Sequence, residues 1–433
     1  MVKVWGRPVR VLSVLAASLA LWVAVMSIGV SGVMAEGFDQ RLSTDNSLGL
    51  QVKSAILMDA ATGQVLYEVN PDQPLPMASM TKMMTEYIVL EEIGAGRLSW
   101  DQVITVSEEA ANTDPSESQI YLAAGDQHTV EDLYYAMAVG SANDATKALA
   151  DAVSGTIEAF LNNMNDKAKE MGLTTAVFTS VTGFEDTTVM SAGDVAKLAY
   201  QILKDHPEFL KYSSTQSYKF RERDEKPMTN INYMLGSNKD NVYLKALAYE
   251  GVDGMKTGFI DAAGYNFTGT VKRGDQRYIS VVMDTSSKNQ RFIETAKLYD
   301  YAFATFERKT ILQPKTVVET LDSVKIKKGV KKSIPIVTDS DITLMVPKGK
   351  DAKVEMTEHM LLPEDQLVAP IKAGTKVGTV TYTYSDEITG KDRNYTVNLI
   401  TTEDAEKAGW FRLLFRGIGD FFSKLFHGIL DLF

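Results

Sequence analysis

A serine and a lysine stand three residues apart in Pro74-Leu75-Pro76-Met77-Ala78-Ser79-Met80-Thr81-Lys82-Met83-Met84-Thr85. The prolines end whatever precedes them, and an unbroken helical run follows from about Ala78 to Ile93, closed by Gly94. Residues three apart on a helix are neighbours, so Ser79 and Lys82 are expected on one face of the first turn, where backbone N–H groups are still unpaired. A serine hydroxyl becomes a nucleophile only with a base beside it. Lysine can be that base if its amine is held neutral, well below its ordinary value near ~10.4. Another part of the chain must therefore press on Lys82.

Two further stretches carry suitable groups. Val139-Gly140-Ser141-Ala142-Asn143-Asp144 lies between two helical runs. Ser141 offers a hydroxyl able to pass a proton and Asn143 an amide able to orient a ligand. By itself the stretch reads as an ordinary capped helix–helix turn. Ser287-Lys288-Asn289 has the same pattern and reads as the lead-in to a helix from Arg291. Gly254-Met255-Lys256-Thr257-Gly258-Phe259 follows Val252 on a predicted strand. Glycine weakens a strand unless something approaches its backbone, so Gly258 marks an edge that a ligand can lie against. Lys256 supplies positive charge and Thr257 a hydroxyl for a carboxylate. Lys256 is also a candidate for the pressure on Lys82, because a like charge lowers an ammonium's pKa.

These groups must be positioned by a mixed scaffold. Ser54–Asp59 and Gln64–Val69 flank a glycine turn and read as a β-hairpin. A mostly helical region follows to about residue 205, with capping boxes at Thr129 and Ser191. Ala263–Val271 and Arg277–Asp284 read as paired strands, and Arg291–Phe306 as a helix. Strand, helices, strands and helix imply an α+β domain: an antiparallel sheet with a helical subdomain inserted. Beyond Arg308 the segments shorten and alternate, separated by turn residues such as Pro347-Lys348-Gly349, which predicts a small all-β sandwich over 308–402.

With 433 residues the chain is long enough for two or three domains. The net charge of −11 argues against a general nucleic-acid binder. The chain has no cysteine, which removes disulfides, thiol catalysis, iron–sulfur clusters and cysteine zinc sites. His128, His206, His359 and His427 form no pair with metal-ligand spacing, so neither metal nor cofactor is expected. Residues 1–35 have the form of an export signal: Lys3, Arg7 and Arg10, then an uncharged apolar run from Val11 to Val30, then Val33-Met34-Ala35 at the cleavage position. The rest of the chain is expected outside the cytoplasm.

In this order, Ser79–Lys82, Ser141–Asn143 and Lys256–Gly258 resemble the signature of the penicillin-binding proteins and serine β-lactamases. The wording around Ser79 and Lys256 is similar to that of low-molecular-mass D-alanyl-D-alanine carboxypeptidases of the penicillin-binding protein 5 type. The likeness extends over residues 50–305, within a catalytic domain placed at 36–307. The resemblance implies a serine-type carboxypeptidase that removes the terminal D-Ala of peptidoglycan stem peptides ending in D-Ala-D-Ala and is acylated by β-lactam antibiotics. It makes Ser79 the acylated nucleophile, Lys82 its general base and Ser141 the proton relay. Asn143 would position the substrate and Lys82, while Lys256 and Thr257 would hold the terminal carboxylate. Backbone N–H groups of Ser79 and Phe259 would form the oxyanion hole, with Gly258 beside them. Phe259 stands where histidine or threonine is common. Ile231, in Asn230-Ile231-Asn232, stands where some members carry a basic residue. Arg291 is a candidate to share that task, although an arginine at a helix start is usually a solvated surface charge.

Two rivals remain open on the motifs alone. A class A β-lactamase needs a deacylating glutamate, and Glu158-Ala159-Phe160-Leu161-Asn162 has the pattern, but it follows Ser141 closely within one apparently continuous helix and reads as a surface residue. A drug-sensing receptor would be acylated without turnover. Finally, apolar residues recur every three or four positions from Trp410 to Phe433, with Arg412, Arg416, Asp420, Lys424, His427 and Asp431 on a narrow stripe. Residues 403–433 are therefore expected to form an amphipathic helix lying on the outer face of the cytoplasmic membrane, since charges along its whole length oppose spanning.

Overall fold

The computed structural model describes residues 46–352, 354–386, 390–416 and 418, which belong to one compact unit, Gln40–Phe433. The export segment expected at 1–35 lies outside the described residues. Ser54–Asp59 (β1) and Val65–Val69 (β2) form the hairpin read from the sequence. Val252–Ile260 (β3), Gly264–Arg273 (β4) and Gln276–Thr285 (β5) complete an antiparallel sheet of order β2-β1-β5-β4-β3. Every residue of β1 is buried: Ile56 and Met58 enter one core, Ala55 and Leu57 another on the opposite face. A strand covered on both sides needs no polar alternation, hence the unbroken run Ala-Ile-Leu-Met.

Between β2 and β3 the chain inserts its helices: Lys82–Gly94 (α1), Glu108–Ala111 (α2), Val130–Gly140 (α3), Asn143–Ser154 (α4), Ile157–Glu170 (α5), Ala192–Asp205 (α6) and Phe209–Ser213 (α7). Thr129 and Ser191 cap α3 and α6, each accepting from the backbone N–H three residues on. Gln290–Thr305 (α8) covers the other face of the sheet, packing Phe292, Leu298 and Tyr299 with Leu57, Phe267 and Val282.

The helix expected from Ala78 to Ile93 is two elements. Ala78–Thr81 is a 3-10 turn, α1 starts at Lys82, and the left-handed glycine that ends it is Gly96 rather than Gly94. Every residue of α1 from Lys82 to Leu90 is buried, so the helix carries apolar residues all round, as a core helix does. The helix expected to run on past Ser141 is also broken: Gly155 adopts φ 78° and Thr156 caps a new helix, α5. Short ribbons pair Leu75–Pro76 with Val189–Met190 and Val103–Thr105 with Gln127–Thr129.

Beyond α8 the chain is all β: Phe306–Leu312 (β6), Ser323–Lys325 (β7), Ser333–Thr338 (β8), Ile342–Pro347 (β9), Val354–Leu361 (β10), Lys376–Asp386 (β11) and Lys391–Thr401 (β12). β6 pairs with β9, and the others form a sheet of order β7-β8-β12-β11-β10. A separate core of Ile334, Ile336, Leu344, Val380 and Leu399 makes this part sandwich-like. β6 starts at Phe306, directly after α8, and bridges continue to Ala405 and Lys407, with Ala405 and Ala408 buried. The β-rich part therefore runs past the division expected after residue 402. It is tied to the hairpin of β1 and β2. Gln64 exchanges two 3.0 Å hydrogen bonds with the backbone of Met345, and Arg308 pairs with buried Asp59 at 2.9 Å. Residues 410–416 are helical and expose Trp410, Phe411, Leu414 and Phe415; most of the expected amphipathic helix lies outside the described residues.

Candidate active site

The 3-10 turn decides how Ser79 and Lys82 meet. It opens at Ala78, whose left-handed φ of 50° is strained for a residue with a side chain. Side chains three apart eclipse in a 3-10 turn, so the two groups approach by a tighter route than the expected helix face. Lys82 Nζ stands 3.1 Å from Ser79 Oγ and donates to the Thr182 carbonyl at 3.0 Å. Ser79 is half-buried, while Lys82 is completely buried. Gly183, with φ 76°, packs on the same turn; a Cβ there would stand 2.0 Å from the Ala78 carbonyl oxygen.

Ser141 closes α3 in the left-handed conformation, φ 56°, and this sharp exit turns its hydroxyl toward β3. Lys256 Nζ donates to Ser141 Oγ at 2.9 Å and to the Thr257 carbonyl at 3.4 Å. Asn143, the first residue of α4, donates through Nδ2 to Glu117, and its Oδ1 has no partner among the described residues. Among the described residues no hydrogen bond joins Asn143 to Lys82; Asn143 instead holds Glu117, whose carboxylate faces Lys147 at 3.8 Å and whose charge acts on Lys82. Asp144 accepts from the backbone N–H groups of Ile120 and Leu122, clamping the loop of Glu117 onto α4. Thr257 is buried and its hydroxyl has no partner among the described residues, leaving it available to a ligand.

Gly258 lies on the edge strand of the sheet, and its backbone also packs against the turn of Ser79: a Cβ would stand 2.5 Å from the Met77 carbonyl oxygen and 3.3 Å from Ala78 Cβ. Its missing side chain lets β3 close on that turn. Arg291 is no solvated surface charge. It is 2% exposed and donates to the Gly258 and Asn266 carbonyls at 3.3 and 3.4 Å, because the start of α8 packs under the ends of β3 and β4. Phe259 is half-exposed and stacks on Tyr265. Asn230 and Asn232 bond the backbone of Ser213, Thr215 and Gly254, a tethering role. Glu158 is exposed in the first turn of α5, not in the cleft.

Electrostatics follow from burial. Desolvation first, then the positive charge of Lys256, hold Lys82 well below the ordinary lysine value. The pressure expected from Lys256 is present but second to burial. Burial also pulls Lys256 down to about 8 and pushes Glu86 up to about 8. Arg291, which adds to the pressure on Lys256, is itself brought down to about 10 by burial. The arrangement offers a hydroxyl beside a buried amine held below the usual lysine range, a second hydroxyl, and a second buried lysine with a threonine hydroxyl that has no partner among the described residues. That set suits acyl transfer from a substrate bearing a carboxylate.

Sequence reasoning missed Glu117, Asp144, the Thr182 carbonyl and Glu86. Asp144 and Glu86 were within reach, one directly after Asn143 and the other one turn past Lys82 on the same helix. Glu117 and Thr182 reach the site only through folding and carry no local signal.

Known proteins match over most of the chain. The D-alanyl-D-alanine carboxypeptidase family pattern matches residues 41–287, and that of the penicillin-binding protein 5 C-terminal domain matches 306–407. D-alanyl-D-alanine carboxypeptidase DacF of Bacillus subtilis is 33% identical over 376 residues, 87% of this chain and 91% of that protein. DacC of Escherichia coli is 34% identical over 385 residues, 87% of this chain and 89% of its own. Penicillin binding protein 5 from Haemophilus influenzae superposes with a TM-score of 0.67 at 30% identity, covering 86% of this chain and 100% of that one. Ampicillin-bound penicillin-binding protein D2 from Listeria monocytogenes covers 59% of this chain and 99% of its own, with a TM-score of 0.51 at 33% identity.

Proposed function

The chain belongs to the D-alanyl-D-alanine carboxypeptidase family and is a serine-type enzyme of that class, and from that premise we propose how its residues divide the reaction. Ser79 Oγ attacks the carbonyl carbon of the penultimate D-Ala while its proton passes to Lys82 Nζ. The carbonyl π electrons move to the oxygen, held by the backbone N–H groups of Ser79 and Phe259. Losing one donor of such a hole typically costs about 3–4 kcal/mol. Collapse breaks the peptide bond, and the proton travels from Lys82 through Ser141 to the leaving amine of the terminal D-Ala. Water then attacks the Ser79 ester as Lys82 takes its proton; the acyl C–Oγ bond breaks, Lys82 returns the proton to Ser79 Oγ, and the shortened stem peptide leaves. Lys256 and Thr257 hold the terminal carboxylate until the terminal D-Ala departs; Asn143, braced by Glu117, orients the substrate amide. A β-lactam enters by the same first step, but its leaving nitrogen stays attached to the acyl group.

The observation that carries this reading is the fully buried Lys82 amine 3.1 Å from the Ser79 hydroxyl. Labelled penicillin followed by peptide mapping tests it: the label is expected on Ser79 and nowhere else, and label at another residue overturns the assignment. Release of D-alanine from a peptide ending in D-Ala-D-Ala separates an enzyme from a sensor, which would be acylated without product.

The reading extends to place. Residues 1–35 direct export and are removed after Ala35, and the tail from Trp410 holds the enzyme on the outer face of the cytoplasmic membrane. Support comes from the charge and apolar pattern of both segments and from the exposed Trp410, Phe411, Leu414 and Phe415. There the enzyme trims the stem peptides available for cross-linking and so bears on cell shape.

A further inference from the structure

Phe259 enters the steps above only through its backbone N–H, yet its side chain is 44% exposed on the edge strand of the sheet. Single exposed apolar residues are ordinary on a protein surface. This one differs in how it is held. Phe259 pairs directly with Tyr265 across β3 and β4, and the two rings stack with centroids 4.2 Å apart and planes 25° apart. The buried guanidinium of Arg291 lies 5.7 Å from the centre of the Tyr265 ring and is itself fixed by its bonds to the Gly258 and Asn266 carbonyls. Stacking and cation–π contacts favour one ring geometry over others. Phe259 is therefore a braced surface, not a loose side chain.

The strand sets what that surface faces. Side chains alternate along a strand, so Thr257 and Phe259 stand on one face of β3 and Lys256 and Gly258 on the other. The contacts agree. Lys256 reaches Ser141 and Gly258 closes on the turn of Ser79, whereas Phe267, the cross-strand partner of Thr257, packs on Phe292 of α8. Thr257 is 2% exposed, with a hydroxyl that has no partner among the described residues. Along one face of the edge strand, an unanswered hydroxyl is thus followed, about 7 Å on, by an exposed aromatic ring. A substrate with its carbonyl oxygen at the Phe259 N–H and its terminal carboxylate at Thr257 lays its last residue along this face.

We propose that Phe259 is a specificity-determining residue: its ring, braced by Tyr265, is an apolar ledge for the side chain of the leaving D-amino acid, so that the site takes a terminal D-Leu as well as D-Ala and disfavours Gly. The inference rests on the placement of the terminal carboxylate at Thr257. The bond broken is unchanged: the acyl group passes to Ser79 Oγ, and the leaving amine, now that of D-Leu, takes its proton by the same route. A half-exposed ring gains contact with a longer aliphatic side chain without the steric limit of a closed pocket, and apolar area removed from water is the gain. Histidine or threonine at this position would offer a polar group in place of that area.

The test measures release of the terminal residue by the full chain from three peptides with one acyl half, ending in D-Ala-Gly, D-Ala-D-Ala and D-Ala-D-Leu. The unaltered chain is expected to cleave the D-Leu peptide about tenfold better than the Gly peptide in kcat/KM, the lower end of what one added apolar group achieves in a closed pocket. Phe259→Ala should cut that ratio at least about fivefold, while the ratio between peptides that differ only at the third residue from the end stays as it was. An equal proportional loss on all three peptides, as damage to the oxyanion hole or to the fold would give, overturns the proposal. If Phe259→Ala does not fold, Phe259→Thr, a residue common at this position, carries the same expectation. A D-Leu peptide cleaved no faster than the Gly peptide by the unaltered chain overturns the proposal without any variant. Thr257→Val, which keeps shape and removes the hydroxyl, tests the placement separately. Undiminished cleavage of all three peptides by that variant sinks the carboxylate assignment and the ledge with it. A slowed Thr257→Val beside an unchanged ratio in Phe259→Ala sinks only the ledge.

Discussion

Lys82 is useful because its surroundings make an ordinary lysine improbable. An amine with no exposure, near a second buried cation, is neutral far below the usual lysine range. It accepts a proton only when deprotonated, so acylation should fall as the pH drops through that lowered value and hold to lower pH than a solvated lysine allows. Replacing it by alanine should slow acylation by labelled penicillin about 10²–10⁴-fold, the usual worth of a general base. Lys82→Arg, which keeps the charge and cannot be deprotonated, should be equally slow. An arginine variant acylated at nearly the original rate would remove Lys82 from the base role, provided thermal melting shows both variants folded. The Ser79–Lys82 spacing was legible because three-residue neighbours meet in either kind of helix. Glu117 was not, because it is brought to Asn143 by the clamp of Asp144 on a loop whose sequence has no helical or strand period.

The elements were legible where the chain signals its own ends. Thr129 and Ser191 announced α3 and α6, and Gly274 the turn between β4 and β5. The break at Gly155 was not read, since one glycine within a helical pattern is a weak stop. Nor was the 3-10 turn at Ala78, which is imposed by packing: Gly183 presses on it from one side and Gly258 from the other. That contact makes Gly258 an element-scale test. Gly258→Ala places a methyl 2.5 Å from the Met77 carbonyl oxygen, where backbone must yield. Overpacking of this kind costs about 1–3 kcal/mol. Because the yielding element carries Ser79, the acylation rate should fall at least tenfold together with a lowered melting temperature. A variant that melts lower yet acylates at the original rate would show that the close approach of β3 serves stability alone.

At the scale of the whole molecule, the β-rich part is fastened to the catalytic sheet rather than strung from it. The Gln64–Met345 pair and the Arg308–Asp59 ion pair join the hairpin of β1 and β2 to β6 and β9. Its far boundary was misread in the sequence because Ala405 and Ala408 look like the start of a helix; they are instead held by backbone bonds to Ile371 and Lys328. This relocates the cut that tests the membrane proposal. Removing everything after residue 402 would strip buried residues from the β-rich part and confound the result. A stop after Gly409 spares them and removes Trp410 onward, together with the bonds from Arg416 to the Gly329 and Val330 carbonyls. Those bonds hold the first turns of the tail against the β-rich part, while Trp410, Phe411 and Phe415 stay exposed on it. An apolar face so placed is suited to a lipid interface, and under the membrane proposal the charges spaced along the tail would keep it at the surface, since each would cost roughly 3 kcal/mol at mid-membrane. The truncated protein, made without residues 1–35, should be acylated by labelled penicillin at the rate of the full mature chain and remain in the supernatant with lipid vesicles that the full chain pellets with. If both forms sediment alike, the anchor is not the tail; if the truncated form loses acylation as well, the tail supports the fold and the surface role fails as its sole explanation.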